Sequence, residues 1–181
     1  MLHEWDGIVF DLDGTLVRLV VPWNEVDEQI ATIFRSKGFA IPDDGRIWSF
    51  LHIAENEGFR NEIEAVLQQY EIAGAKQSKR LPLLETVEGL SQPVGVCSLN
   101  CEQACDIALT THGIAHAIDT IVGRDSLSTW KPDPEPLQYA IDTMELSASS
   151  VVFIGDSVRD EETAAAAGVD FRYVKDLLSN T

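Results

Sequence analysis

The amino-acid sequence predicts an α/β fold in which helices cover both faces of a parallel sheet. Three observations carry that prediction. Short continuous apolar runs, rich in β-branched residues, recur along the chain and read as strands buried on both faces. Amphipathic helical periods separate them, and strand–helix alternation builds parallel sheets. Each of the three best runs ends on polar, reactive side chains, and in open α/β sheets ligands gather at the carboxyl ends of the strands.

The first strand is Ile8-Val9-Phe10, before Asp11. From about Val20 to Lys79 the chain shows helical periods and no clear strand. Val26, Ile30, Ile33 and Phe34 repeat at i, i+4, i+7, i+8, and Ile63, Val66, Leu67 and Tyr70 at i, i+3, i+4, i+7. The stretch is too long for one ordinary crossover. It is read as a helical insertion, against the alternative that its helices simply pack on the sheet. Residues 83–90 and 101–113 read as helices flanking the second strand, Val94-Gly95-Val96-Cys97, before Ser98. Ile118–Val122 and Phe171–Val174 are weaker strand candidates. Asp133-Pro134 reads as an N-cap followed by Pro at the first helical position, opening a helix through about Met144. The third strand, Val151-Val152-Phe153-Ile154, precedes Gly155-Asp156, and Ser157–Ala167 reads as a helix stopped by Gly168. The expected division is an α/β core of residues 1–19 and 80–181 with a helical unit of residues 20–79 inserted after the first strand.

The 181 residues suffice for one domain, or one with a modest appendage. A hydrophobic fraction of 45% with 24% charged residues argues against disorder. Lys plus Arg number 13 against 30 Asp plus Glu, a net charge of −17. Such a surface repels phosphate backbones, so neither nucleic acid nor an anionic membrane is an expected partner. No apolar run approaches the length of a membrane span, and no basic-then-apolar leader opens the sequence, so a cytoplasmic protein is expected. Cys97, Cys101 and Cys105 are odd in number and evenly spaced, which is neither a zinc pattern nor a disulfide framework. They read as reduced, half-buried thiols. Monomer and dimer both stay open.

The chemistry lies at the strand ends. Asp11 and Asp13 follow the first strand, Ser98 the second and Asp156 the third, while Lys131 precedes the turn Pro132-Asp133-Pro134. Several carboxylates brought together cannot all ionise without a cation. Hard oxygen donors with few His or Cys nearby select Mg²⁺ over zinc. A carboxylate near a metal-bound phosphorus is a plausible nucleophile, and a second one two residues away suits proton transfer. Gly14 permits a sharp turn whose amides face a phosphate. The Ser98 hydroxyl and the Lys131 ammonium suit phosphoryl oxygens.

Phe10-Asp11-Leu12-Asp13-Gly14-Thr15-Leu16, then Ser98, then Lys131-Pro132-Asp133-Pro134-Glu135-Pro136, then Gly155-Asp156-Ser157-Val158-Arg159-Asp160 resemble, in order and spacing, the four motifs of the haloacid dehalogenase superfamily. Phosphoglycolate-phosphatase-like and β-phosphoglucomutase-like members are the most similar. The resemblance implies a Rossmann-like three-layer α/β/α core with a small helical cap. It implies that Asp11 is the nucleophile, Asp13 the general acid/base, Ser98 the phosphate-binding hydroxyl and Lys131 the stabilising lysine. It implies Mg²⁺ held by Asp11, the backbone carbonyl of Asp13 and Asp156, with Asp160 as an outer partner or alternative ligand. True dehalogenases lack the second aspartate, so Asp13 favours phosphoryl transfer.

The sequence departs from relatives at Arg18 and Leu19, and at Leu99, which stands where Asn or Ser is frequent. Arg18 reads either as a contact to a second anionic group of the substrate or as a surface ion-pairing residue. Arg46 and Arg60 are weighed between substrate contact and a solvated face. Trp23, Trp48, Phe50 and Phe59 read chiefly as the core of the insertion, with a pocket wall as the alternative. His112 and His116 stand four apart, but Gly113 interrupts any shared helix, so a surface or capping role is expected. Glu161-Glu162 suit a helix N-terminus.

The expected function is a Mg²⁺-dependent phosphatase acting on a small phosphorylated metabolite, a phosphoglycolate-like monoester, through an aspartyl-phosphate. The alternatives are a β-phosphoglucomutase-type sugar phosphomutase and a non-catalytic regulatory protein on the same scaffold. The charge leaves two readings, an ordinary acidic protein and a salt-adapted one, with the balance leaning to the second. Salt adaptation predicts that circular dichroism shows a fold that loosens in dilute buffer and tightens in molar salt. Indifference to salt would contradict it.

Overall fold

The computed structural model describes residues 2–43 and 47–179; Arg46 lies outside the described residues. The chain forms β1 (Gly7–Phe10), β2 (Val17–Arg18), α1 (Trp23–Ser36), α2 (Ile47–Asn56) and α3 (Arg60–Ala75). It continues through β3 (Lys79–Arg80), α4 (Leu84–Val87), β4 (Val94–Cys97), α5 (Glu102–Thr111) and β5 (Thr120–Val122). It closes with α6 (Glu135–Thr143), β6 (Val151–Gly155), α7 (Val158–Ala167), β7 (Asp170–Tyr173) and α8 (Val174–Leu178).

Five strands form a parallel sheet in the order β5-β4-β1-β6-β7. Ile8 of β1 stands opposite Val94 on one side and Val152 on the other. The chain builds outward from β1 to β4 and β5, then crosses back to β6 and β7. The strand order thus reverses around β1, and that reversal opens a crevice above the carboxyl ends of β1, β4 and β6. β2 and β3 pair antiparallel at the root of the helical stretch, Val17 opposite Arg80.

Side chains alternate across the sheet, so each strand supplies two cores. Ile8, Phe10, Val96 and Ile154 face one side and pack with Ala104, Cys105, Ala108 and Leu109 of α5. Val9, Cys97 and Phe153 face the other and pack with Leu137 and Ile141 of α6 and Ala164 of α7. The result is the expected three-layer α/β/α arrangement. α1, α2 and α3 share a further apolar cluster that includes Val26, Ile30, Phe34, Leu51 and Ile63. Phe34 is its centre, with its ring edge-on to Phe50 at 4.8 Å and to Phe59 at 5.2 Å. α3 serves two cores: Ile63 and Leu67 belong to this cluster, while Ile72 and Ala75 pack with the sheet side.

Several boundaries differ from expectation for identifiable reasons. α6 begins at Glu135, with Pro134 as its N-cap rather than its first residue. The Pro134 carbonyl accepts the first helical bond, from Gln138 N at 3.0 Å, which is what an N-cap does. Asp133 Oδ1 still accepts the Glu135 N–H at 2.9 Å. Ser157 caps α7 in a reciprocal capping box with Asp160, and Gly168 ends it in the left-handed conformation. Residues 115–117 form a 3-10 turn, which shortens the strand expected at 118–122. Among the described residues, no helix is long and apolar enough to cross a membrane.

Phe34→Ala removes the ring that three helices pack around. It should cost about 3–5 kcal/mol in urea unfolding. A loss under about 1 kcal/mol would contradict the central place given to that ring.

Candidate active site

Asp11 is the first residue beyond β1, and its N–H still donates to the Ile154 carbonyl at 2.8 Å. The neighbouring strand therefore fixes the backbone from which its side chain projects. The chain then turns at Gly14, whose φ of 95° is strained for any residue with a side chain. A Cβ there would also overlap the Asp156 carboxylate. Gly14 is what lets the turn after β1 meet the end of β6. Ser98 is placed the same way, its N–H donating to Val122 O at 2.9 Å.

Lys131 ties these strand ends together. Its side chain is buried, and Nζ donates to Asp11 Oδ1 at 2.9 Å and to Asp160 Oδ1 at 2.5 Å. Asp160 Oδ2 accepts from the Ser157 hydroxyl at 2.6 Å and the Ser157 N–H at 3.1 Å. One carboxylate thus caps α7 and anchors the lysine. Among the described residues, Asp11 Oδ2 accepts only from the Thr15 hydroxyl, at 3.4 Å, a weak contact. Asp13 Oδ1 accepts the Leu19 N–H at 2.9 Å and lies 3.8 Å from Arg18 Nη1.

Burial sets the protonation of this group. It pushes the Asp11 carboxyl up to about 7 against the pull of Lys131. It also raises Asp13 and Asp156 above their ordinary values. Burial alone would lower Lys131, but Asp11 and Asp160 more than reverse this and keep it charged.

Carboxylate oxygens of Asp11, Asp156 and Asp160 all lie within 4.8 Å of one another. Three acids around one ammonium leave an excess of negative charge, and all three offer hard oxygen donors. That donor set fits Mg²⁺ and not a soft metal. The Asp13 carboxylate stands outside this trio; the carbonyl is the donor the resemblance asks of it.

A pocket of about 230 Å³ covers the group, lined by Asp11, Asp13, Ser98, Lys131, Asp156 and Asp160 below. Trp23, Ile47, Trp48 and Leu67 line it from the helical side. The four strand-end residues singled out in the sequence, and Lys131 with them, therefore reach one cavity. The four aromatic candidates divide: Phe50 and Phe59 are core, while Trp23 and Trp48 face the pocket. Arg18 is half exposed beside Asp13. Arg60 lies away from the pocket, paired with Glu55 and Glu64 and stacked 4.3 Å from the Trp130 ring. His112 Nε2 lies 3.0 Å from Ser78 Oγ, and His116 sits in the 3-10 turn, so the two share no helix.

Sequence reasoning passed over Glu71, Arg124 and Arg159, all of which line the pocket. Arg159 stacks on Trp48 at 4.4 Å. Glu64 and Glu71 did leave a signal: they stand seven apart beside Leu67, placing two acids on a buried helical stripe. Arg124 left none, because its partners lie 53 and 60 residues away.

A raised Asp11 means that the folded state holds its proton more tightly than the unfolded chain. Its contribution to stability is full below the ordinary value of 3.8 and is lost as pH rises to about 7. In chelator, urea unfolding of wild type and Asp11→Asn should therefore diverge over that range, the Asn variant gaining relative stability with pH. A difference flat across the range would contradict the buried carboxyl.

Comparison with known proteins agrees with this geometry. The chain matches the haloacid dehalogenase-like hydrolase family over residues 8–174. It is similar to a phosphoglycolate phosphatase of Rhodospirillum rubrum, 28% identical over 90% of this chain and 76% of that protein. A phosphoglycolate phosphatase of Cereibacter sphaeroides is 30% identical over 91% of this chain and 83% of its own. A solved haloacid dehalogenase-like family hydrolase from Streptococcus pneumoniae superposes with a TM-score of 0.63 at 22% identity, covering 93% of this chain and 84% of its own. That likeness establishes the fold. With its sheet, its strand-end acids and its match along most of the sequence, the chain belongs to the haloacid dehalogenase-like hydrolase family.

Proposed function

We propose that this protein is a Mg²⁺-dependent phosphatase that hydrolyses a small phosphate monoester by way of a phosphoryl group carried on Asp11. The observation that carries the reading is the asymmetry of the Asp11 carboxylate. Lys131 holds Oδ1 at 2.9 Å, while among the described residues Oδ2 accepts only from the distant Thr15 hydroxyl. Oδ2 is the oxygen with a lone pair available to phosphorus.

In the first half-reaction Asp11 Oδ2 bonds to phosphorus as the bond to the leaving oxygen breaks. Asp13 delivers a proton to that oxygen; its raised pKa suits a general acid. In the second, water attacks the phosphorus, Asp13 takes its proton, and the bond to Asp11 breaks to restore the carboxylate. The Ser98 hydroxyl donates to a phosphoryl oxygen and Lys131 balances the developing charge. The carboxylates of Asp11 and Asp156 and the Asp13 carbonyl would hold Mg²⁺, with Asp160 behind them; the ion supplies charge neutralisation for phosphate among acids.

Residues 20–79 act in this reading as a cap that shapes the leaving-group side through Trp23, Trp48 and Leu67. A phosphoglycolate-like monoester is the proposed substrate class, a reading supported by the names of the bacterial relatives. The three cysteines are free and buried, which suits the reducing cytoplasm.

Purified protein with Mg²⁺ should hydrolyse p-nitrophenyl phosphate, and chelator should abolish the activity. Asp11→Asn should lower kcat by about a thousandfold or more. Full turnover by that variant would overturn the covalent route.

A further inference from the structure

Arg124 sits in the loop after β5, and nothing in the proposed chemistry uses it. Its side chain is buried, and all three of its nitrogens meet acceptors. Nε donates to Glu64 Oε2 at 3.0 Å. Nη1 donates to Glu71 Oε1 at 2.6 Å and to the Leu99 carbonyl at 2.5 Å. Nη2 donates to Glu71 Oε2 at 3.2 Å and lies 2.9 Å from Glu64 Oε2. A guanidinium has five N–H donors in a rigid fork; four of them make these hydrogen bonds, and the Nη2 contact to Glu64 adds an ion pair.

The partners come from two places. Glu64 and Glu71 belong to α3, which also supplies Leu67 to the pocket roof. Leu99 follows Ser98. The backbone repeats the same link: Arg124 N donates to Asn100 O at 2.9 Å, and Cys101 N donates to Glu71 Oε2 at 2.8 Å. Asn100 in turn holds the Ser98 hydroxyl, with its Oδ1 and its N–H each 3.2 Å from Ser98 Oγ. Gly123 allows the approach, since a Cβ there would overlap the backbone of Cys101 and Glu102.

We propose that Arg124 is a positioning residue: it locks α3 to the loop of residues 98–101, so that the Ser98 hydroxyl takes its place only when the roof helix is seated. A buried ion network of this kind is weak as a source of stability but strong as a geometric constraint, because breaking one contact leaves a buried charge uncompensated. Arg60 on the outer side of Glu64 completes the balance of two cations against the two α3 acids. Roof and phosphate loop then move as one unit. The kinetic part of this inference rests on the phosphatase reading; the mechanical part does not.

The test uses two variants of the full chain. Arg124→Lys keeps the charge but cannot span both partners. Glu71→Met/Arg124→Met replaces the buried pair by apolar side chains of similar length and guards against simple loss of folding. In amide hydrogen exchange, Arg124→Lys should speed residues 60–75 and 98–101 together, by about tenfold, with Cys101 the most direct reporter. The double variant, if as stable as wild type, should still lose about tenfold or more in kcat for p-nitrophenyl phosphate, with little change in KM. Faster exchange in 60–75 with 98–101 unchanged would overturn the proposal. So would wild-type kcat in the stable double variant. If wild type turns over no phosphate ester, the phosphatase reading falls and the exchange result alone decides the coupling.

Discussion

The ammonium of Lys131 is buried among carboxylates, and the architecture is arranged to keep it there. A charged lysine out of water is costly unless anions compensate it. Asp11 and Asp160 supply those anions from the ends of β1 and the first turn of α7. That pairing stitches two elements on neighbouring strands to a loop that enters from β5. It also leaves Asp11 with one oxygen fixed and one available. The same contact therefore joins the strand ends at the carboxyl edge of the sheet and, in the proposed reaction, prepares a nucleophile.

Sheet topology makes the convergence possible. β4 and β6 flank β1 because the strand order reverses there, so three strand ends, far apart in sequence, open into one crevice. The conformation of Gly14 then folds the first turn under Asp156, close enough that no side chain fits between them. Burial, reinforced by the neighbouring acids, raises Asp11, Asp13 and Asp156 together. On the proposed reading, a divalent cation and a phosphate each relieve the charge that the other adds to such a site.

The parts of this arrangement that were legible in the sequence are those governed by local chemistry. Ile8-Val9-Phe10 and Val151–Ile154 read as buried strands because β-branched and aromatic runs have few other uses, and reactive residues at their ends follow from the direction of the chain. Ser157 and Gly168 marked the ends of α7 because caps act within a few residues. What escaped depends on distance or rotation. α2 spaces Ile47, Phe50, Leu51 and Ala54 at i, i+3, i+4, i+7, but the apolar Trp48 and Ile53 beside them blur its polar face. Trp48 and Phe50 are two residues apart, yet only the rotation of that helix sends one to the pocket and the other to the core. Arg124 meets acids more than fifty residues away, and a lone cation in a loop gives no hint of that.

The central claim is that phosphorus passes onto Asp11. Excess enzyme can be mixed with substrate and Mg²⁺, quenched in acid during turnover, reduced with borohydride and digested for mass spectrometry. An acyl phosphate at Asp11 is converted by reduction to homoserine, so the peptide containing residue 11 should carry that change, and only when substrate was present. Turnover that leaves Asp11 intact, or that places the change at Asp13 or Asp156, would contradict the account.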